Sequence, residues 1–330
     1  MEHEFKIDLI IPWVNGNDKA WQDEKAQYSS AGDDRINRYR DWGLMKYWFR
    51  CVEKNLPWIH KIHFITWGHL PDFLKTEHPK LNIVKHSGYI PQEYLPTYNS
   101  HTIELNFHRI DELSEHFIYS NDDMFFLKPL SEDYFFKNGL PVDSAIQNVL
   151  QFNRIDGISH IQANNLLYIN VNFSKKEVLA KNKKKWYNAS YGKGMFKNLY
   201  LKSFSNFTGF VDPHLPYSYL KSTWSAVWEN CFDILDFTSK SKIRSNDEVN
   251  QWLMRYWQLA EGNFVPGKPH RGRFFAIGKD DNEIYKTIES SLENMICLSD
   301  DDVNIDFEKE KNALISAFEK AYPEKSSFEK

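Results

Sequence analysis

Hydrophobic and polar positions along the first third of the chain alternate between short apolar runs and stretches with apolar residues every three or four places. Lys6–Val14 carries Ile7, Leu9, Ile10 and Ile11 in a run of strand length. It ends in Trp13-Val14-Asn15-Gly16-Asn17-Asp18, a string of turn formers. From Asp41 to Asn55 the apolar positions Leu44, Tyr47, Trp48 and Cys51 fall at helical spacing, and Asn55 and Pro57 stop the helix. Lys61–Trp67 is a second predicted strand, closed by Gly68, and Leu81–Lys85 is a shorter third. Asn99 or Ser100 can cap a helix with Ile103, Phe107 and Ile110 on one side. His116–Ser120 is a fourth strand and runs straight into Asn121-Asp122-Asp123. The order βαββαβ predicts an α/β fold with a mainly parallel sheet flanked by helices. Loops at the ends of such strands are the usual place for a ligand.

Beyond residue 130 the pattern changes. Residues 174–203 hold nine lysines against one acid, Glu177. Such a run is either a solvated face or a patch for a polyanionic chain or acidic lipid headgroups. Helical spacing returns from Tyr217 to Phe237 and from Asn246 to Ala260, residues 262–273 read as a Gly- and Pro-rich loop, and Phe307–Ala321 is an amphipathic helix with Leu314, Ile315 and Phe318 on one face. The expected organisation is a catalytic core of residues 1–130 and 205–302. A lysine-rich helical insertion over 131–204, an acceptor-binding region, interrupts it, and a C-terminal helix and tail follow over 303–330.

Composition narrows the function classes. Of 330 residues, 42% are hydrophobic and 26% charged, which excludes wholesale disorder. A net charge of −4 argues against a duplex nucleic-acid binder, so no nucleic-acid partner is expected. Cys51, Cys231 and Cys297 are far apart and form no CxxC pair, which supports neither a disulfide framework nor a zinc site and suits a reducing compartment. No run approaches the ~18–20 apolar residues of a membrane span, and the N-terminus lacks a basic segment followed by a long apolar one. The expected location is cytoplasmic, with peripheral membrane association through the lysine-rich region. There is no GxxxxGK[ST], GxGxxG or GxSxG motif.

Four places can carry chemistry. Asp122 and Asp123 put adjacent carboxylates at a strand end, a hard oxygen pair suited to Mg²⁺ or Mn²⁺ completed by substrate phosphates. His214, in Asp212-Pro213-His214-Leu215-Pro216, sits between two prolines that fix the backbone and give an imidazole a rigid mount. Arg244 precedes what reads as a helix start at Ser245-Asn246-Asp247-Glu248, a two-part phosphate clamp unless the acids already satisfy the helix dipole. His101, Glu104 and His108 share one helical face, where Glu104 and His108 form either a ligand pair or a half-buried network.

These residues resemble a known family. Ile7–Asp18 is similar to the first conserved region of the Stealth proteins. Arg38-Tyr39-Arg40-Asp41, Cys51–Ile59, Leu95–Glu104, His108-Arg109-Ile110 and Phe117–Phe125 resemble the second. His214-Leu215-Pro216 and Arg244–Glu248 resemble the third, and Ile296–Asp300 the fourth, where Asn commonly stands in place of Ser299. The family comprises bacterial capsule and cell-wall polysaccharide phosphotransferases and an animal N-acetylglucosamine-1-phosphotransferase.

The resemblance implies a nucleotide-sugar-binding, GT-A-like and Rossmann-like core. It implies transfer of a hexose 1-phosphate or N-acetylhexosamine 1-phosphate from a UDP-sugar to a hydroxyl of a polysaccharide or oligosaccharide acceptor, with release of UMP. On this chain Asp122 and Asp123 would hold Mg²⁺ or Mn²⁺, and Arg244 with Arg38 would clamp phosphates. His214 is the first choice of general base and Asp122 the second. Trp13, Val14, Asn15 and Gly16 would line the uridine pocket, with Asp41, Glu104 and Asp300 also in the donor site and Asp300 orienting Arg244 or binding metal. Two alternatives remain open: a metal-dependent UDP-sugar glycosyltransferase that releases UDP, and a non-catalytic polysaccharide-binding scaffold.

Overall fold

The computed structural model describes residues 5–28, 39–152, 155, 157–279, 281–300 and 304–330. Eleven strands occur among the described residues: β1 (Ile7–Pro12), β2 (Ile62–Thr66), β3 (Leu81–Lys85), β4 (His116–Tyr119), β5 (Met124–Phe126), β6 (Phe136–Lys137), β7 (Leu140–Asp143), β8 (Tyr217–Leu220), β9 (Val265–Pro266), β10 (Arg273–Ala276) and β11 (Met295–Ser299). The first four stand where the apolar runs place them. A five-stranded sheet has the order β3-β2-β1-β4-β8. Its first three pairings are parallel and β4-β8 is antiparallel. Two smaller sheets, β10-β11-β5 and β6-β7-β9, mix both senses, so the chain is a mixed α/β protein in which parallel strands lie alongside antiparallel ones.

The continuous apolar run of β1 follows from burial on both faces. Leu9 and Ile11 join one core with Trp48, Phe49 and Cys51 of the helix Met45–Asn55. Ile10, pointing the other way, joins a second core with Trp224, Leu253 and Trp257. That second core also takes Ile146, Leu166, Ile169 and Trp186 from the segment following β7. The helix Phe307–Ala321 forms as predicted, capped by the Asp306 side chain and burying Leu314 and Phe318.

Several elements differ from the sequence reading. Tyr217–Leu220 is a fully buried strand, and the helix begins only at Lys221. Tyr217, Tyr219 and Leu220 suit a strand as well as a helix, and pairing with β4 decides the outcome. The helix after Asn99 ends at Leu105 and continues as a 3₁₀ turn over Phe107–Arg109. The later helix starts at Trp252 rather than Asn246. Residues 262–273 contain β9 and the first residue of β10.

Sheet order fixes where a ligand can go. From β1 the chain lays β2 and β3 to one side and β4 to the other. Between β1 and β4 the loops after the two carboxyl ends diverge and leave a crevice, the usual binding position in an open α/β sheet. The loops there are Trp13–Gly16 and Ser120–Asp123.

Candidate active site

Asn121-Asp122-Asp123 bridges two sheets, leaving β4 and entering β5. The Ser120 N–H donates to the Ile10 carbonyl at 3.0 Å, and the Asp123 carbonyl accepts from the Leu298 N–H at 2.8 Å. The segment is therefore held at both ends by strands rather than left as a free turn. The Asp123 carboxylate is half-buried. Its Oδ2 lies 3.8 Å from Nε2 of His214 and 3.4 Å from Sγ of Cys297 on β11. Its Oδ1 is buried with no hydrogen-bond partner. One ligand atom from each of Asp123, His214 and Cys297 falls within 4.8 Å of the others, a cluster that could hold a metal ion.

Asp122 faces the open cleft. Loss of water around it, then the neighbouring charges of Asp123 and Asp41, push its pKa up to about 7. His214 is also shifted upward. Burial works against its imidazolium, but hydrogen bonding and attraction to Asp123, with the charge of Glu104, outweigh both burial and the opposing Arg244.

The mount of His214 is more than two prolines. The Pro213 carbonyl accepts from the Tyr217 hydroxyl at 2.7 Å and from the Leu215 N–H at 3.0 Å. Asp212 is anchored by Arg255, which also holds Asp143 at 2.7 Å, and both partners are buried. The loop bearing the imidazole is thus tied to the helix Trp252–Glu261 and to β7.

Arg244 stands in a loop and no helix starts at Ser245, so the clamp expected from that helix start reduces to its guanidinium. Glu248 explains the difference. Its buried carboxylate accepts from the Ser245 N–H at 2.9 Å and from Asn99 Nδ2 at 2.9 Å, and pairs with His101 Nδ1 at 2.7 Å. Those bonds hold the loop open against the helix Ser100–Leu105, and the Arg244 guanidinium donates to the Ser100 hydroxyl. His101 is a support for this loop. Glu104 is buried and accepts from the Tyr119 hydroxyl at 2.9 Å. His108, carried off the helical face by the 3₁₀ turn, packs beside Trp228, and burial followed by Arg109 and Lys221 lowers its pKa to about 3. Glu104 and His108 form no ligand pair.

Asp41, Asp122, Asp123 and Asp300 share a cleft of about 330 Å³ with Arg40, His214 and Arg244. Asp300 lies 3.5 Å from Arg40, with which it forms an ion pair. An adjoining lobe of about 160 Å³ is aromatic, with Trp13, Val14, Trp21, Tyr98 and Ile103 on its walls and Glu104 beside them. Trp13, Asn121, Asp122 and Arg244 border both lobes. Trp21 and Tyr98 were not singled out in the sequence, although Tyr98 lies inside the Leu95–Glu104 motif. Their edge-to-face contact, with centroids 5.7 Å apart, depends on a long-range packing that no local pattern encodes.

Asn15 and Gly16 fall outside both lobes. Asn15 donates its N–H to His69 Nε2 at 2.8 Å and borders a third hollow, with Asp72, that shares Trp13, Asp41 and Met45 with the acidic lobe. Gly16 lies against the Tyr39 carbonyl, where a Cβ would come within 1.8 Å of the oxygen. The close approach it permits is to this chain's own backbone. Arg38 lies outside the described residues.

Two family models match: conserved region 1 of the Stealth proteins over residues 5–33 and conserved region 2 over residues 38–143. The chain is 42% identical to a capsular polysaccharide phosphotransferase, WcwK, of Streptococcus pneumoniae, over the whole of both chains. It is 37% identical to an exopolysaccharide phosphotransferase, cps2G, of Lactiplantibacillus plantarum, covering 99% of this chain and 97% of that one. It is also 37% identical to a receptor polysaccharide phosphotransferase, WefC, of Streptococcus gordonii, covering 98% and 99%. Among the described residues no helix is long and apolar enough to cross a membrane. With one matched family model over each crevice loop and likeness running end to end, the chain belongs to the Stealth family of phosphotransferase enzymes.

Proposed function

We propose that the cleft transfers a hexose 1-phosphate, or an N-acetylhexosamine 1-phosphate, from a UDP-sugar to a hydroxyl of a polysaccharide acceptor in capsule or cell-wall polysaccharide synthesis. The observation that carries this reading is the joining of an acid-rich lobe to an aromatic one across Trp13, Asn121, Asp122 and Arg244. A diphosphate needs charge compensation, and a uracil ring needs flat apolar walls. The two requirements meet here in adjacent spaces, on a nucleotide-sugar-binding core of the GT-A-like, Rossmann-like kind.

The chemistry is mostly positioning. Nε2 of His214 takes the proton of the acceptor hydroxyl, whose oxygen attacks the β-phosphorus bearing the sugar. The bond from that phosphorus to the bridging oxygen breaks, and UMP leaves with the electron pair. The Arg244 guanidinium clamps phosphate oxygens through its fork of donors. Asp41 and Asp300 with Arg40 set the charge of the far wall. Trp13, Val14, Trp21 and Tyr98 hold the base.

Asp122 and Asp123 would hold Mg²⁺ or Mn²⁺. The residues suit a hard divalent ion, since Asp122 is raised by loss of water and then by the charges of Asp123 and Asp41, and Asp123 keeps an unclaimed buried oxygen. When bound, such an ion neutralises charge on the diphosphate as the phosphorus–oxygen bond lengthens. With the two carboxylates holding the ion, the His214 imidazole, which also stands beside Asp123 and Cys297 as a candidate ligand, would serve as the base.

The test is incubation with a panel of UDP-sugars, Mg²⁺ or Mn²⁺ and oligosaccharide acceptors, followed by phosphorus NMR. UMP and a new phosphodiester resonance are the expected products. Release of UDP with no phosphodiester would replace this reading by glycosyl transfer at the anomeric carbon.

A further inference from the structure

The helix Gly194–Leu201 buries only Asn198 and Leu201. Asn198 fixes it from beneath, with Nδ2 donating to the Ala145 carbonyl at 2.7 Å and the Trp186 carbonyl at 2.6 Å, and Oδ1 accepting from the Gln147 N–H at 2.7 Å. At about 100° per residue, Phe196, Leu199 and Tyr200 fall together on the opposite side. They are 67%, 49% and 75% exposed, far beyond what scattered surface apolar residues need. Phe204, just past the helix, is 46% exposed. Lys193 and Lys197 flank the same face and Lys202 follows it, all three exposed. No acidic residue occurs between Glu177 and Asp212, so the charge of these lysines is not balanced within the segment. Lys197 has a neutral partner, Asn148 Oδ1 at 3.2 Å.

A rigidly mounted helix that presents apolar side chains outward inside a ring of lysines is complementary to one kind of surface. Apolar groups enter the acyl boundary while the ammonium groups reach back to anionic headgroups. A hydrated anionic polysaccharide would satisfy the lysines but has no use for Leu199 and Phe196 pointing away from the protein.

We infer that the face of Phe196, Leu199 and Tyr200, ringed by Lys193, Lys197 and Lys202, docks this chain on anionic phospholipid bilayers. The inference is independent of how the cleft works, and none of these residues belongs to it.

The test is sedimentation of the full chain with phosphatidylglycerol-containing and pure phosphatidylcholine vesicles in low salt. Wild type should pellet with the anionic vesicles and release in high salt. Phe196→Ser/Tyr200→Ser should weaken the partition coefficient by about 10-fold or more. Lys193→Glu/Lys197→Glu/Lys202→Glu should weaken it about 100-fold on anionic vesicles alone. All these side chains are exposed, so both variants should keep the wild-type melting profile. Equal binding to both vesicle types, or binding unchanged by the substitutions, would overturn the inference. So would retention on an anionic polysaccharide resin without vesicle binding, or self-association that the serine variant abolishes while vesicles leave the chain in solution.

Discussion

Asp8, inside the amino end of β1, and Asp123, beyond the carboxyl end of β4, lie toward opposite ends of the same parallel pair of strands, each beside histidine, and their surroundings differ. Asp8 is fully buried, with Oδ1 2.8 Å from His60 Nδ1, and Oδ2 3.1 Å from His63 Nε2 and 2.7 Å from the Ser114 N–H. Burial pushes its pKa up, but His63, the Ser114 N–H and His60 outweigh it and hold the carboxyl below its usual range. Asp123 has one oxygen near His214 and Cys297, the other unclaimed, and a second carboxylate next door that is forced up to about 7. The same pair of residue types is satisfied at the amino end of the sheet and left incomplete at the carboxyl end. A satisfied buried acid holds the fold, whereas the crowded, incomplete one is where the proposed cation would bind.

Substitutions at the two ends should therefore have opposite signatures. Asp123→Asn should lower turnover by about 10⁴-fold, as expected for loss of a ligand to a charge-compensating ion, while the thermal midpoint holds or rises. Product release and a thermal melt on the same preparation check both halves. His214→Ala should cost about 10²–10⁴-fold in kcat with a much smaller change in KM, measured by steady-state kinetics. A variant with altered KM alone would make His214 a binding group.

Asp8→Asn should do the reverse, lowering stability by about 2–4 kcal/mol in urea unfolding while the folded fraction turns over normally. Because the folded pKa of Asp8 is depressed, its stabilisation is complete above the unfolded value of about 3.9 and is lost as pH falls through the folded value. The gap between wild type and Asp8→Asn should then shrink as pH is lowered from 5 toward 2. A gap that widened on acidification would reverse the sign assigned to Asp8.

Legibility in the sequence followed burial. Strands β1 to β4 read clearly because each is an apolar run bounded by turn formers. Asp122-Asp123, His214 and Arg244 stood out because each is a chemistry-bearing group on a local mount visible in a few residues. What local pattern could not show was anything decided by distant pairing. Tyr217–Leu220 runs into Lys221 with no Gly or Pro to mark the change from strand to helix, so only its register against β4 reveals it. Ser245–Glu248 resembles a helix start, yet Asn99 and His101 claim Glu248 and no helix forms there. The neighbours of Asp122 and Asp123 include Asp41, from a loop before the first long helix, and Cys297, from β11, which only the assembled sheets bring together.

Manganese binding read by electron paramagnetic resonance separates the two ends of the sheet most directly, because it needs no substrate. Titrated into wild type and Asp8→Asn, Mn²⁺ should lose its free-ion signal with a single saturable site, and Asp123→Asn should leave that signal free at the same concentrations. Equal binding by wild type and Asp123→Asn would show that the incomplete carboxylates at the carboxyl end are not there for a cation.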